Sequence, residues 1–170
     1  MYRPDGALAG PPQGDVLLLL GSNVGRREKR LREGIDLLSR QVEISRVSRV
    51  YESEPWGKTG QRRFLNVAVR GKCRLSPGRL LAFVKEVEAS AGRKARERWG
   101  PRELDVDILL MGDKLVRRPD LVIPHPRMAL RRFCLLPASE IAASAVVPPG
   151  NKTISDLLEE CKDPLEVNPL

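Results

Sequence analysis

The chain has 170 residues, 41% hydrophobic and 31% charged, which suits one globular domain able to bury roughly 70% of the surface its unfolded form exposes. Its longest aliphatic run, residues 16–20, is far too short to cross a bilayer and leads into Gly-Ser-Asn-Val-Gly rather than a small-residue cleavage pattern. Membrane-spanning and secreted classes are thereby excluded and a cytoplasmic protein is expected. The net charge of +8 points to polyanionic ligands: nucleic acid, an anionic membrane surface or a nucleotide triphosphate.

Residues 1–14 hold three Pro and three Gly with little apolar patterning and read as a flexible extension, so the domain is expected to begin near Asp15. Residues 16–20 form a strand buried on both faces, and Gly21-Ser22-Asn23-Val24-Gly25 turns the chain into an amphipathic helix over 26–40 whose apolar side carries Leu31, Ile35 and Leu38. β-Branched residues alternate over 42–53, alternation returns over 64–69, and 55–63 is the loop between these two antiparallel strands. Ser76 and Pro77 open a second helix with Leu80, Leu81, Val84, Val87 and Ala91 inward, and Gly92 ends it. Residues 93–98 lack hydrophobic periodicity and read as a mobile basic loop before a core strand over 105–111. Short helical pieces are expected around 130–142 and 154–161. The order β-α-β-β-α-β predicts an α+β domain with a ferredoxin-like core: an antiparallel sheet with helices on one face, the other left for a site, plus C-terminal helical additions. A single domain over 15–162 and a tail over 163–170 complete the organisation. Cys73, Cys134 and Cys161 are widely spaced and outside any CxxC pattern, so they read as reduced thiols rather than a disulfide framework or zinc site.

The most informative stretch is Arg98-Trp99-Gly100-Pro101-Arg102-Glu103-Leu104-Asp105-Val106-Asp107-Ile108. In a strand, Asp105 and Asp107 share one face roughly 7 Å apart while Val106 and Ile108 turn inward. Like charges at that spacing suit a divalent cation with oxygen ligands, most simply Mg²⁺ bridging to phosphates that Arg98 and Arg102 would clamp; the alternative is a pair of solvent-facing acids balanced by arginines. His125, the only histidine, lies between prolines near Arg127, Arg131 and Arg132, a setting for a phosphate hydrogen bond or for a structural imidazole. Phe64 and Asn66 share a strand face, and there either an aromatic plane and an amide receive a flat heterocycle or a core Phe stands beside a sheet-face Asn. The pattern GxxxxGK[ST] is absent, no GxGxxG follows a strand, and no nucleophilic triad is positioned.

Across residues 16–142 the chain resembles the 6-hydroxymethyl-7,8-dihydropterin pyrophosphokinases of folate biosynthesis. The motifs are Gly21-Ser22-Asn23, residues 51–57, Phe64-Leu65-Asn66, Glu88 with Gly92-Arg93, the block from Arg98 to Ile108, and Pro124-His125 with Arg131 and Phe133. The resemblance implies transfer of the β,γ-pyrophosphoryl group of MgATP to the pterin hydroxymethyl, leaving AMP. It implies two Mg²⁺ ions on Asp105 and Asp107, with Arg93 and Arg102 also catalytic. Glu88, Arg98, Ile108, His125 and Arg131 would bind ATP. The pterin would lie between Phe64 and Phe133, read by Asn66 and Ser53, with Pro55, Trp56 and Trp99 shaping its pocket. Residues 55–63 and 93–102 are expected to close over both substrates. The partners so implied are ATP and the pterin, without nucleic acid or membrane, in a monomer or weak homo-oligomer. A non-catalytic RNA-binding module would use the same fold and charge, but aromatic residues make up only 4% of the chain, and Asp105 and Asp107 would repel phosphates unless a metal were present. A metal-dependent nuclease is a third reading.

Overall fold

A computed structural model describes residues 13–95 and 98–170. The expected extension therefore lies outside the described residues except for its last two positions, as do Arg96 and Glu97 of the basic loop. The elements run β1 (Gly14–Ser22), α1 (Arg27–Leu38), β2 (Val42–Val47), β3 (Tyr51–Ser53), β4 (Phe64–Cys73), α2 (Pro77–Ser90), β5 (Asp105–Met111), β6 (Val116–Arg118), β7 (Leu121–Ile123), α3 (Arg132–Ala142), α4 (Ile154–Glu160) and β8 (Val167–Pro169). Strands β5-β1-β4-β3-β8 lie in that order in a six-stranded sheet, and β2 pairs the remaining part of β4. All these pairings are antiparallel.

Local chemistry explains the element ends. Ser76 caps α2 by accepting the Arg79 N–H, with Pro77 in the first turn where no amide is needed. Gly92 takes φ +84° just past the helix, a left-handed position that glycine occupies without strain. The alternation read as one strand over 42–53 is broken into β2 and β3. At the break the Ser48 hydroxyl, rather than a backbone carbonyl, accepts the Ala68 N–H at 2.9 Å, and side-chain bonding of this kind competes with a continuous ladder.

The core has two layers because β1 and β4 are apolar on both faces. Leu18, Leu20, Val67 and Val69 pack with α1 and α2 residues such as Leu31, Leu38, Leu80 and Val84. Leu17, Leu19 and Ala68 pack on the opposite side with Cys134, Leu135, Ala138 and Ile141 of α3 and with Ile154 of α4. The second sheet face, expected to be left for a site, is thus covered by α3 over much of its area, and the C-terminal helices are a core layer. The β6–β7 hairpin was not legible in its short, charge-interrupted segments. Residues 163–170, read as a tail, supply β8, which pairs with β3; Leu170 N–H also bonds to Val50 O. All three cysteines are buried with free thiols.

Candidate active site

Ladder pairing assembles the site across four strands. Gly21 lies opposite Asp105 on β5 and opposite Asn66 on β4, Leu19 lies opposite Asp107, and Ser53 lies opposite Phe64. Directly opposed residues project to the same face, so these side chains share the α3 side of the sheet at the end that α3 leaves open. They border a cavity of about 570 Å³, within the range of small-ligand sites. A Cβ on Gly21 would meet Asn66 Oδ1 at 3.2 Å, close enough that a larger residue would press on the Asn66 amide. Asn66 is 2% exposed, and its amide donates to Ser53 Oγ at 2.8 Å, which fixes the amide plane against the cavity.

The acidic end is built on β5. Asp105 accepts from Arg93 Nη1 at 2.9 Å. Asp107 is pushed up to about 7, first by burial and then by repulsion from Asp105, with Arg131 opposing. His125 is pulled down to about 4, by burial and then by the Arg131 charge, so the imidazole is neutral at pH 7. Its Nδ1 accepts the Arg127 N–H at 3.2 Å. The ring proton therefore resides on Nε2, which lies 3.9 Å from Asp107 Oδ1. A pair of carboxylates, one held reluctant to ionise by burial and by its neighbour, suits a divalent cation. No group of three or more His, Cys, Asp or Glu converges among the described residues, so most of the coordination shell would come from phosphate oxygens and water, as Mg²⁺ prefers. Behind this pair, Glu88 is 1% exposed. Burial raises its carboxyl, and the hydrogen bond from Val106 N–H pulls it back.

The aromatic end is built on loops. Trp56 and Trp99 meet with ring centroids 5.4 Å apart. The Arg131 guanidinium sits 4.4 Å from the Trp56 ring, 5.2 Å from Trp99 and 5.6 Å from Phe133, while Arg127 approaches Trp99 at 4.7 Å. These are cation–π distances. Arg131 is buried, and its Nε has no hydrogen-bond partner among the described residues, a donor awaiting an acceptor. Among the described residues Trp99 is the non-glycine residue with positive φ, +63°, a strained conformation of the kind found at functional loops. Asn23 joins the two loops to the sheet. Its Nδ2 donates to Gln61 Oε1 and Arg62 O, its Oδ1 accepts Arg102 N–H at 2.8 Å, and its own N–H donates to Arg102 O at 3.0 Å. Gln61 then donates to Trp99 O at 2.7 Å.

Of the residues singled out in the sequence, Ser53, Trp56, Phe64, Asn66, Arg93, Arg98, Trp99, Arg102, Asp105, Asp107, His125, Arg131 and Phe133 border the cavity. Pro55, Glu88 and Ile108 are not among its lining residues. Ile108 faces the α1/α2 core, as strand alternation from Asp107 requires, and Glu88 is enclosed behind β5. Glu54, Lys85 and Arg127 also line the cavity, although the sequence reading assigned them no ligand contact: Arg127 was noted only as a neighbour of His125 and Glu54 only within residues 51–57, while Lys85 lies one helical turn before Glu88.

A two-ended cavity with basic side chains, paired carboxylates, a neutral imidazole and aromatic rings suits a group transferase that binds phosphates at one end and a flat heterocycle at the other. Residues 17–143 match the family of 7,8-dihydro-6-hydroxymethylpterin-pyrophosphokinase (HPPK), and the chain belongs to that family. It is 41% identical over 145 residues to the 2-amino-4-hydroxy-6-hydroxymethyldihydropteridine pyrophosphokinase of Aquifex aeolicus, covering 85% of this chain and 91% of that one. It is 43% identical over 126 residues to the Bacillus subtilis protein of the same name, covering 73% and 75%. Among solved structures, the HPPK-DHPS of Plasmodium falciparum with pterin and p-hydroxybenzoate superposes with a TM-score of 0.70 at 15% identity, over 89% of this chain and 42% of that chain. This chain thus spans less than half of that larger protein, and the likeness shows the shared fold.

Proposed function

We propose that this enzyme, a pyrophosphokinase of folate synthesis, transfers the β,γ-pyrophosphoryl group of ATP to 6-hydroxymethyl-7,8-dihydropterin. The hydroxymethyl oxygen bonds to the β-phosphorus, the bond from that phosphorus to the oxygen shared with the α-phosphate breaks, AMP leaves and the hydroxyl proton is lost. The observation that carries this reading is the row Asp105–Gly21–Asn66 across β5, β1 and β4, which sets a carboxylate pair and an amide reader on one face with the cavity between them.

In this reading Asp105 and Asp107 hold two Mg²⁺ ions. When bound, the metal supplies counter-charge to the phosphate oxygens. Arg93, Arg98, Arg102 and Arg131 grip the phosphate chain, and His125 donates its Nε2–H to it, a role consistent with a ring that stays neutral at pH 7. Phe64 and Phe133 sandwich the pterin. Asn66 and Ser53 read its amide-like edge, and Trp56 and Trp99 close the pocket, with Pro55 shaping it from outside the lining. Positioning and electrostatic complementarity then supply most of the acceleration, since phosphoryl-type transfer demands little covalent work from the protein. We read the four-strand order β5-β1-β4-β3 as ferredoxin-like and place the enzyme in the cytoplasm; no helix among the described residues is long and apolar enough to cross a membrane.

Phosphorus NMR of a mixture of enzyme, ATP, Mg²⁺ and the hydroxymethylpterin tests the reading. Pterin-dependent AMP and pterin diphosphate are expected; ADP, or AMP formed equally well without pterin, would overturn it.

A further inference from the structure

Glu88 is a buried carboxylate that the mechanism above does not use, as is Glu103. It sits near the end of α2 at 1% exposure, and its two oxygens have different partners. Oε1 accepts the backbone N–H of Val106 at 2.8 Å. Val106 lies between Asp105 and Asp107 on β5, which ends the strand order of the sheet, so Glu88 satisfies an amide on that outer side and ties the Asp-x-Asp segment to α2. Oε2 pairs with Arg93 Nη1 and, at 3.2 Å, with Lys85 Nζ. The same Arg93 nitrogen reaches Asp105 Oδ1 at 2.9 Å. One guanidinium is thus shared between a buried acid away from the cavity and a carboxylate that faces it.

We propose that Glu88 is a positioning residue, which fixes the Asp105–Asp107 strand through Val106 and retains Arg93 at the edge of the site when a divalent cation takes Asp105. The proposal rests on the pyrophosphokinase reading for the cation's role. The physical reason is competition. Asp105 cannot serve Arg93 and a cation equally, and a guanidinium with a second anion beside it yields Asp105 at lower cost than one that would be left without a partner. Arg93, still held by Glu88, then stays within reach of the phosphates that accompany the cation.

Glu88→Gln separates the two oxygens' roles, because the amide oxygen still accepts the Val106 N–H while the negative charge facing Arg93 is lost. Binding of an ATP analogue with a methylene between the α- and β-phosphorus, measured calorimetrically at a series of Mg²⁺ concentrations, gives the metal midpoint without turnover. We expect the midpoint to rise about tenfold in E88Q, while the hydrogen-exchange rate of the Val106 amide stays within about twofold of wild type. Steady-state kinetics should show the same split, with the Mg²⁺ requirement moving more than kcat. In an Arg93→Ala background the E88Q shift should vanish, since the competitor is gone. An unchanged midpoint in E88Q, or an equal shift with and without Arg93, overturns the proposal. Wild type failing to bind the analogue at any Mg²⁺ concentration would instead count against the pyrophosphokinase reading. Should E88Q not fold, the wild-type Arg93 Nε–H resonance carries the test: it should move when Mg²⁺ and analogue are added while the Val106 amide does not, and an unmoved Arg93 resonance overturns the proposal.

Discussion

The two ends of the cavity are built by opposite means. The acidic end stands on β5, in register with β1 and braced by α2, with Asp105 and Asp107 set by strand alternation. At the aromatic end, Trp56, Trp99 and Arg131 lie outside the strands, held by stacking and by a few hydrogen bonds through Asn23 and Gln61. One small domain thus combines a carboxylate pair set on a strand with a pocket walled largely by loops. Ladder hydrogen bonds set the carboxylate pair together with Phe64, Asn66 and Ser53, while loops carry the arginines and indoles that border the rest of the cavity.

The largest expected effect breaks the fixed end. Asp107→Ala should lower kcat/KM by about 10³-fold or more, read as pterin-dependent AMP formation, with circular dichroism unchanged because the side chain supports no packing layer. Next comes the reader on β4. Asn66→Ala should raise the pterin KM by about 10²-fold and leave nucleotide binding near wild type. Asn23→Ala removes the tie between the halves, so activity should fall about tenfold and stability by about 1–2 kcal/mol through its lost buried hydrogen bonds, as followed by denaturant titration.

A smaller effect concerns pH. Because Asp107 is raised from its ordinary value of 3.8 to about 7 in the folded chain, its ionisation opposes folding. That penalty is absent below the unfolded value, grows between pH 4 and 7, and is complete above 7. Asp107→Asn should therefore melt a few degrees higher than wild type at pH 8, without metal or nucleotide, and show no gain near pH 3.5. A gain of equal size at both pH values would point to packing instead. Smallest is truncation before β8. Glu166 N–H bonds to Glu54 Oε2 at 2.9 Å and Glu54 N–H bonds to Glu166 O at 3.2 Å, so removing residues 164–170 should raise the pterin KM about two- to fivefold by loosening the loop that follows Ser53.

Legibility followed the same division. Strand β5, helix α2 with its Ser76 cap, and the shared face of Asp105 and Asp107 were readable because period-two alternation and capping are local rules. So was the pairing of Phe64 with Asn66 on one face. Strand β8 was not, since Val167–Pro169 is three residues long and gains its identity only from β3. The coverage of the second face by α3 was missed because the apolar run around Leu135 and Ile141 does not declare which side of the sheet it will meet. Glu88 was singled out as a ligand contact, but its enclosure behind Val106 depends on how α2 docks on β5, which spacing along the chain does not specify. The guanidinium–indole cluster likewise needs three segments, near residues 56, 99 and 131, to converge.

Hydrogen exchange with and without Mg²⁺, the methylene ATP analogue and the hydroxymethylpterin tests the division most directly. Increased protection is expected at residues 55–63 and 98–102, with amides of Asp105–Met111 changed little because the strand is already formed. Protection arising mainly in that strand, with both loops unaltered, would contradict that division.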